Sequence, residues 1–103
     1  MYIPVTLETI IASAELDLHG YSRDDANTMV DGILGHWIER GHREGIIIHG
    51  NGTGTLRNDV DKLLRAHRYA KSYSLVAGNE GRTRVVLREL ETAQEEAAQS
   101  DGD

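Results

Sequence analysis

Between Glu15 and Ile48 the apolar residues change period twice, and that succession leaves few folds open. In "ELDLHG" (15–20), Leu16 and Leu18 alternate with Asp17 and His19, the period of a strand with one face buried. The next segment, "SRDDANTMVDGILGHWIERG", sets Ser22 and Asp25 at the spacing of a capping box. It then lays Ala26, Met29, Val30, Ile33, Leu34, Trp37 and Ile38 along one helical face. Gly41 supplies the stop. Ile46, Ile47 and Ile48 follow without alternation, the pattern of a strand covered on both faces, as parallel strands usually are. Strand, helix and strand in that order make a crossover. The two strands are expected to run parallel and close together, with their C-terminal ends on one edge of a sheet.

The rest of the chain extends this unit. A second helix follows the glycines, with Leu56, Val60, Leu63 and Leu64 as its apolar positions and Thr53 or Thr55 as its cap. "KSYSLVAG" and "RTRVVLREL" read as a hairpin around "GNEG", because so short a loop cannot make a parallel crossover. The expected order is β-α-β-α-β-β, an α/β fold. Residues 1–13, with the single proline Pro4, read as an N-terminal arm holding a short strand or helical turn around Leu7 to Ala12. Residues 91–103 are acidic, lack any apolar side chain larger than alanine, and read as a disordered or fraying tail. Between them, residues 14–90 form the domain. A chain of 103 residues builds one core, so one principal site is sought.

Composition narrows the function classes. The chain has no cysteine, which excludes disulfides and thiolate metal cages and gives no sign of an oxidising compartment. No Lys or Arg precedes Arg23, and no apolar run approaches the roughly 20 residues that cross a bilayer. Neither a signal peptide nor a membrane helix is expected, and the expected location is cytoplasmic. The formal charge of -6 argues against polyanion binding only until it is divided along the chain. Residues 1–20 carry -3, 21–42 carry -2, 43–89 carry +4 and 90–103 carry -5. Arg43, Arg57, Lys62, Arg65, Arg68, Lys71, Arg82, Arg84 and Arg88 all fall in the one basic segment. That distribution fits a polyanion footprint on one side, and it also fits a solvated mixed-charge surface. With no Phe, and only Tyr69 and Tyr73 of the four Tyr in the basic segment, backbone phosphate recognition is a better candidate than base stacking.

The candidate chemistry gathers where Ile48 ends. "HGNGTGTLR" (49–57) spaces Gly50, Gly52 and Gly54 ahead of a helix. A strand feeding a glycine turn and then a helix collects backbone N–H groups and the positive end of a helix dipole, an anion site needing no basic residue. The spacing is neither G-x-G-x-x-G nor a Walker A loop, and alone it also fits a plain tight turn. Asp17 and His19 close the first strand and His49 the second, on the edge where open α/β sheets bind ligands. Gly50, Asn51, Gly52, Thr53 and Gly54 are the candidate phosphate cradle, and Arg57 can reach the same anion with its planar fork. Plainer roles stay open: a strand-end histidine as a satisfied polar group, Asp17 as an acceptor for nearby backbone, Arg57 as the i,i+4 partner of Asp61. His36, His42 and His67 fall on or at the ends of helices away from this edge and read as surface residues, and Trp37 reads as core.

"LDLHG" at 16–20 followed by "HGNGTGTLR" at 49–57, then "GNEG" at 78–81 and the closing "VVLRE", resembles the Smr (small MutS-related) domain over roughly residues 15–89. The Thr-Gly-x-Leu-Arg version looks most like the Smr domains at the C-terminus of long bacterial MutS homologues, so the chain reads as an excised domain. The resemblance implies a two-layer α/β sandwich, a mixed four-stranded sheet packed by two helices, similar to the C-terminal domain of bacterial translation initiation factor three. It also implies nicking of DNA, cleavage of RNA, or action on stalled or collided ribosomes, in ribosome rescue or recombination control. A MutS-like ATPase is the implied attached partner. The family's motif positions fall on Asp17 and His19, and on His49, Gly50, Gly52, Gly54 and Arg57. Many members with this form of the second motif have Arg where this chain has His19, so the histidine is not shared across the family.

The expected function is a nucleic-acid-binding endonuclease domain that cleaves or nicks phosphodiester bonds in RNA or DNA. The amides of 50–54 and the Arg57 guanidinium hold the phosphate and stabilise charge on its oxygens. Imidazole titrates near neutral pH, which makes His19 the candidate general base toward water or a ribose 2′-OH. Asp17 orients substrate or water, and His49 serves as general acid or phosphate contact. Two-metal chemistry needs several carboxylates around ions about 3.5–4 Å apart. Only Asp17 is well placed, so no structural metal is expected, and the pattern admits a single hydrated Mg²⁺ at most. The alternative is a non-cleaving module that grips nucleic acid or the ribosome for an attached ATPase. A protein-interaction domain draws support only from the acidic tail.

Overall fold

The computed structural model describes residues 6–89; the expected arm before Thr6 and the expected disordered tail at 91–103 lie outside them. In chain order the elements are α1 (Leu7–Ser13), β1 (Glu15–Asp17), α2 (Arg23–Glu39), β2 (Glu44–Ile48), α3 (Thr55–Ala66), β3 (Ala70–Val76) and β4 (Asn79–Leu87). The strands form one mixed sheet in the order β1-β2-β4-β3, with β1 parallel to β2 and the other two pairings antiparallel. This is the expected α/β architecture with one helix more. The Leu7–Ala12 stretch is helical, capped by the Thr6 side chain, and sends Ile10 and Ile11 into the core.

Helix α2 is bounded as its sequence requires. The Ser22 side chain accepts a hydrogen bond from the Asp25 amide at 3.1 Å. At the other end Gly41 N–H donates to Ile38 O and His42 N–H to Trp37 O, the paired bonds of a Schellman motif. The apolar face buries Ala26, Val30, Ile33, Leu34, Trp37 and Ile38. Trp37 is fully buried, and its Nε1 donates to the Ile10 carbonyl at 3.0 Å, which ties α1 to α2. Gly45 lets β2 approach this indole: a Cβ there would clash with the Trp37 ring. Arg23 at the start of α2 reaches Asp59 on α3 with two hydrogen bonds, 2.6 and 2.9 Å. The guanidinium holds the Asp59 carboxyl below the usual carboxylate range, although burial pushes it the other way.

Helices α2 and α3 pack on each other on one face of the sheet. Their crossovers, β1 to β2 and β2 to β3, move the same way across the sheet, and a right-handed connection in each case puts both on the same side. Leu16, Ile47, Thr83, Val85 and Leu87 are buried beneath the helices. On the opposite face Glu15, Asp17 and Arg84 are exposed, and Ile46, Ile48, Arg82 and Val86 are half-buried. The expectation that the triple-isoleucine strand is covered on both faces is therefore corrected. Only Ile47 points into the core, because no described element packs on the other side.

The hairpin also turns earlier than "GNEG" suggested. The turn is Ala77-Gly78, with Val76 opposite Asn79, and the partner then jumps so that Leu75 faces Thr83. Past the Ile48–Arg82 pair the β2–β4 register continues, and Gly81 O accepts from both His49 N–H and Gly50 N–H at 2.9 Å.

Candidate functional site

Asp17 and His19 lie where the alternation of β1 predicts, both exposed, beside the buried Leu16 and Leu18. Asp17 Oδ1 accepts the His19 backbone N–H at 2.9 Å, which fixes the carboxylate at the end of the strand and leaves its second oxygen to solvent. Both residues line an open cleft of about 380 Å³ with Gly20, Tyr21, His49 and Gly50.

His49 is placed differently. Its ring is buried at 8% exposure, with Nδ1 3.1 Å from Gly50 O and Nε2 2.8 Å from the Thr83 hydroxyl. A carbonyl only accepts, so Nδ1 donates to Gly50, and in the neutral ring Nε2 accepts from Thr83. Both nitrogens are spent holding the entrance to the glycine turn. Thr83, which no sequence motif singled out, is thus part of the site's support. Its only sequence signal is its place on the inward period of β4.

The turn itself divides in two. The amides of His49 and Gly50 are used by Gly81 O. Among the described residues the backbone N–H groups of Asn51, Gly52, Thr53 and Gly54 make no hydrogen bond. Gly54, at φ 87°, is the N-cap of α3 and brings no side-chain cap. The first amides of this 12-residue helix therefore open onto the turn, with only a 3.4 Å contact from Thr55 N to Thr53 Oγ1. Gly52 has a φ that any residue adopts, and an added Cβ would meet nothing. Neither backbone nor packing asks for glycine at that position.

Arg57 is exposed and makes no hydrogen bond or ion pair among the described residues. Asp61, the i,i+4 partner open to it from sequence, is engaged by Arg65 at 2.7 Å instead. Arg57 lines a second cleft with Asn58, Asp61, Tyr73, Ser74, Leu75 and Thr83. The glycine turn therefore sits between two clefts, Asp17 and His19 on one side and Arg57 on the other. Of the remaining histidines only His36 is exposed. His42 Nε2 donates to Ile11 O at 2.9 Å. His67 Nε2 lies 3.0 Å from Asp31 O, and its Nδ1 accepts from the Tyr69 amide, so both are structural fastenings rather than free surface groups. Among the described residues no three His, Cys, Asp or Glu side chains gather as a metal-holding group, and no helix is long and apolar enough to cross a membrane.

Comparison with known proteins gives this geometry a family. The chain matches the family model of the Smr domain over residues 16–91. It is 41% identical over 78 residues to the endonuclease MutS2 of Geobacillus thermodenitrificans and 38% identical over 81 residues to that of Lactobacillus johnsonii. These alignments cover 76% and 79% of this chain, but it spans only 10% of the length of either relative. The Smr domain of Thermus thermophilus MutS2 superimposes with a TM-score of 0.69 at 32% identity, over 72% of this chain and 96% of that domain. YdaL of Escherichia coli, a stand-alone small MutS-related protein, shares the fold with the same TM-score at 24% identity, over 75% of this chain and 66% of its own. The sheet, the two motif segments and these matches agree: the chain belongs to the Smr domain family.

Proposed function

We propose that this domain binds the sugar–phosphate backbone of RNA or DNA and cleaves it. The observation that carries the reading is the juxtaposition at one sheet edge. An exposed Asp17–His19 pair shares a cleft with Gly50 and Leu56, which flank a turn with four uncommitted amides and an uncapped helix N-terminus, and the ion-pair-free Arg57 lines the cleft on the far side of that turn. The curated relatives are named endonucleases. In this reading the amides of 51–54 and the first turn of α3 hold the scissile phosphate. Charge growing on its oxygens is stabilised there and by Arg57. Oxygen of water, or of a ribose 2′-OH, attacks phosphorus and gives its proton to His19; the P–O bond to the leaving oxygen breaks, and that oxygen takes a proton from solvent. Asp17 orients the attacking group and, through its free oxygen, is the residue that would hold a hydrated Mg²⁺. His49 acts as a positioning residue, since both of its ring nitrogens are already hydrogen-bonded within the protein.

One observation favours a second reading. With His49 locked, His19 is the one histidine exposed at the cleft, so a two-histidine acid–base couple is not available. The same cradle then grips nucleic acid, or a ribosome, on behalf of a larger MutS-like ATPase without cutting. The two readings part in a gel assay of end-labelled single-stranded RNA and branched DNA, with and without EDTA. The cleaving reading expects product from the wild type and its loss in Asp17→Ala, and the EDTA lane reports any need for Mg²⁺. Intact substrate that is nevertheless shifted supports the binding module.

A further inference from the structure

The sheet face turned away from the helices carries a basic stripe that the site above does not use. Along β4 the outward positions are Arg82, Arg84 and Val86, followed past the strand end by Arg88. Arg84 is exposed and makes no ion pair or hydrogen bond among the described residues. The Arg82 guanidinium has one loose contact, 3.7 Å to the exposed Glu15 carboxylate, a surface pair that holds it weakly. Beyond Val86 the stripe opens into a hollow lined by Arg43, Lys71 and Arg88, in which Glu89 is the one acidic side chain. Exposed Ser72 and Ser74 stand opposite Val86 and Arg84 on β3 and offer hydroxyls along the same line.

The stripe is continuous with the candidate centre. Asp17 pairs with Ile48, and Ile48 with Arg82, in one cross-strand row. Two strand spacings put Arg82 about 10 Å from Asp17 on the same open face. Alternate residues along a strand repeat at about 6.8 Å, so Arg82 and Arg84 present an evenly spaced pair of guanidiniums leading away from it. The ground between is aliphatic at Ile46, Ile48 and Val86, with the exposed Glu44 carboxylate opposite Val86 at its far end and, among the described residues, no aromatic ring for a base to stack on. The chemistry fits a phosphodiester chain held by its phosphates.

We infer that this open face is a second contact surface for the nucleic-acid backbone, carrying a single strand from the Asp17–His19 edge along β4 toward Lys71 and Arg43. The inference rests on the proposed function. It adds a footprint independent of the glycine turn and indifferent to base identity.

The test is fluorescence anisotropy of the full chain with labelled oligo(rU) and oligo(dT) of about 12 nucleotides, across roughly 50 to 200 mM salt. Wild type is compared with the double variant Arg82→Ala/Arg84→Ala and with Arg57→Ala. The stripe predicts that the double variant binds both oligonucleotides more weakly at low salt, with the log–log salt slope reduced by about 1.4 for two lost phosphate contacts. Wild-type protein that binds neither oligonucleotide overturns the proposed function and the stripe together. Binding that falls in Arg57→Ala but keeps its affinity and slope in the double variant overturns the stripe alone; the face would then serve a second copy of the chain or its acidic residues 91–103.

Discussion

His49 folds as a fastening, because both ring nitrogens are engaged and the ring is buried. Thr83→Val keeps the shape of that side chain and removes the hydroxyl, leaving a buried ring nitrogen without a partner. The expected cost is about 1–3 kcal/mol of stability, read from urea denaturation, and an unchanged midpoint would contradict the role given to His49. Asp59 makes a pH-dependent contribution of known sign. Its folded carboxyl sits below the unfolded value of about 3.9, held there chiefly by hydrogen bonds from Arg23. The stability it adds is complete above the unfolded value and is lost as pH falls through the folded one. In Arg23→Ala burial becomes the largest influence and acts in the opposite direction, against the smaller pulls of Asn27 and Lys62. The stability gap between wild type and Arg23→Ala should be widest near neutral pH and close on acidification below about 4. Acid-titrated thermal melts check this, and a gap constant with pH would contradict it.

At the scale of elements, the turn between β2 and α3 joins two kinds of glycine. Gly50 and Gly54 have positive φ and are needed by the backbone. Gly52 is needed by nothing in the protein, which suits a position kept bare for a ligand's close approach. Gly52→Ala is expected to change the unfolding free energy by no more than an ordinary surface change does, about 0.5 kcal/mol, read from urea denaturation, while weakening oligonucleotide binding in the anisotropy assay. Equal loss of stability and binding would make Gly52 structural. The crossover, the bounds of α2 and the helix after the glycines were legible because each rests on local patterns: the 15–20 alternation, the Ser22 cap, the Gly41 stop. The Asp17–His19 edge followed from the crossover. What was not legible depends on tertiary placement. Three isoleucines in a row do not tell two-sided burial from an open face, since that is decided by both crossovers lying on one side. The register jump at Leu75/Val76 has no local signature. Nor could spacing decide whether Asp61 pairs with Arg57 or Arg65, as both are i,i+4 neighbours.

Over the whole molecule, the -6 charge conceals a division of labour. The segment 43–89 carries the glycine turn, Arg57 and the β4 stripe, and it holds nine of the 11 Lys and Arg residues. Family membership and fold stand on the sheet and the matches; cleavage stands on one exposed histidine. The most direct measurement is therefore single-turnover cleavage of end-labelled RNA by His19→Ala beside the wild type, with binding of the same RNA measured in parallel. The role given to His19 requires cleavage to fall by at least the roughly 10²-fold that a general base contributes, with affinity retained. Cleavage at the wild-type rate in His19→Ala, or no wild-type cleavage of an RNA that is plainly bound, would contradict it.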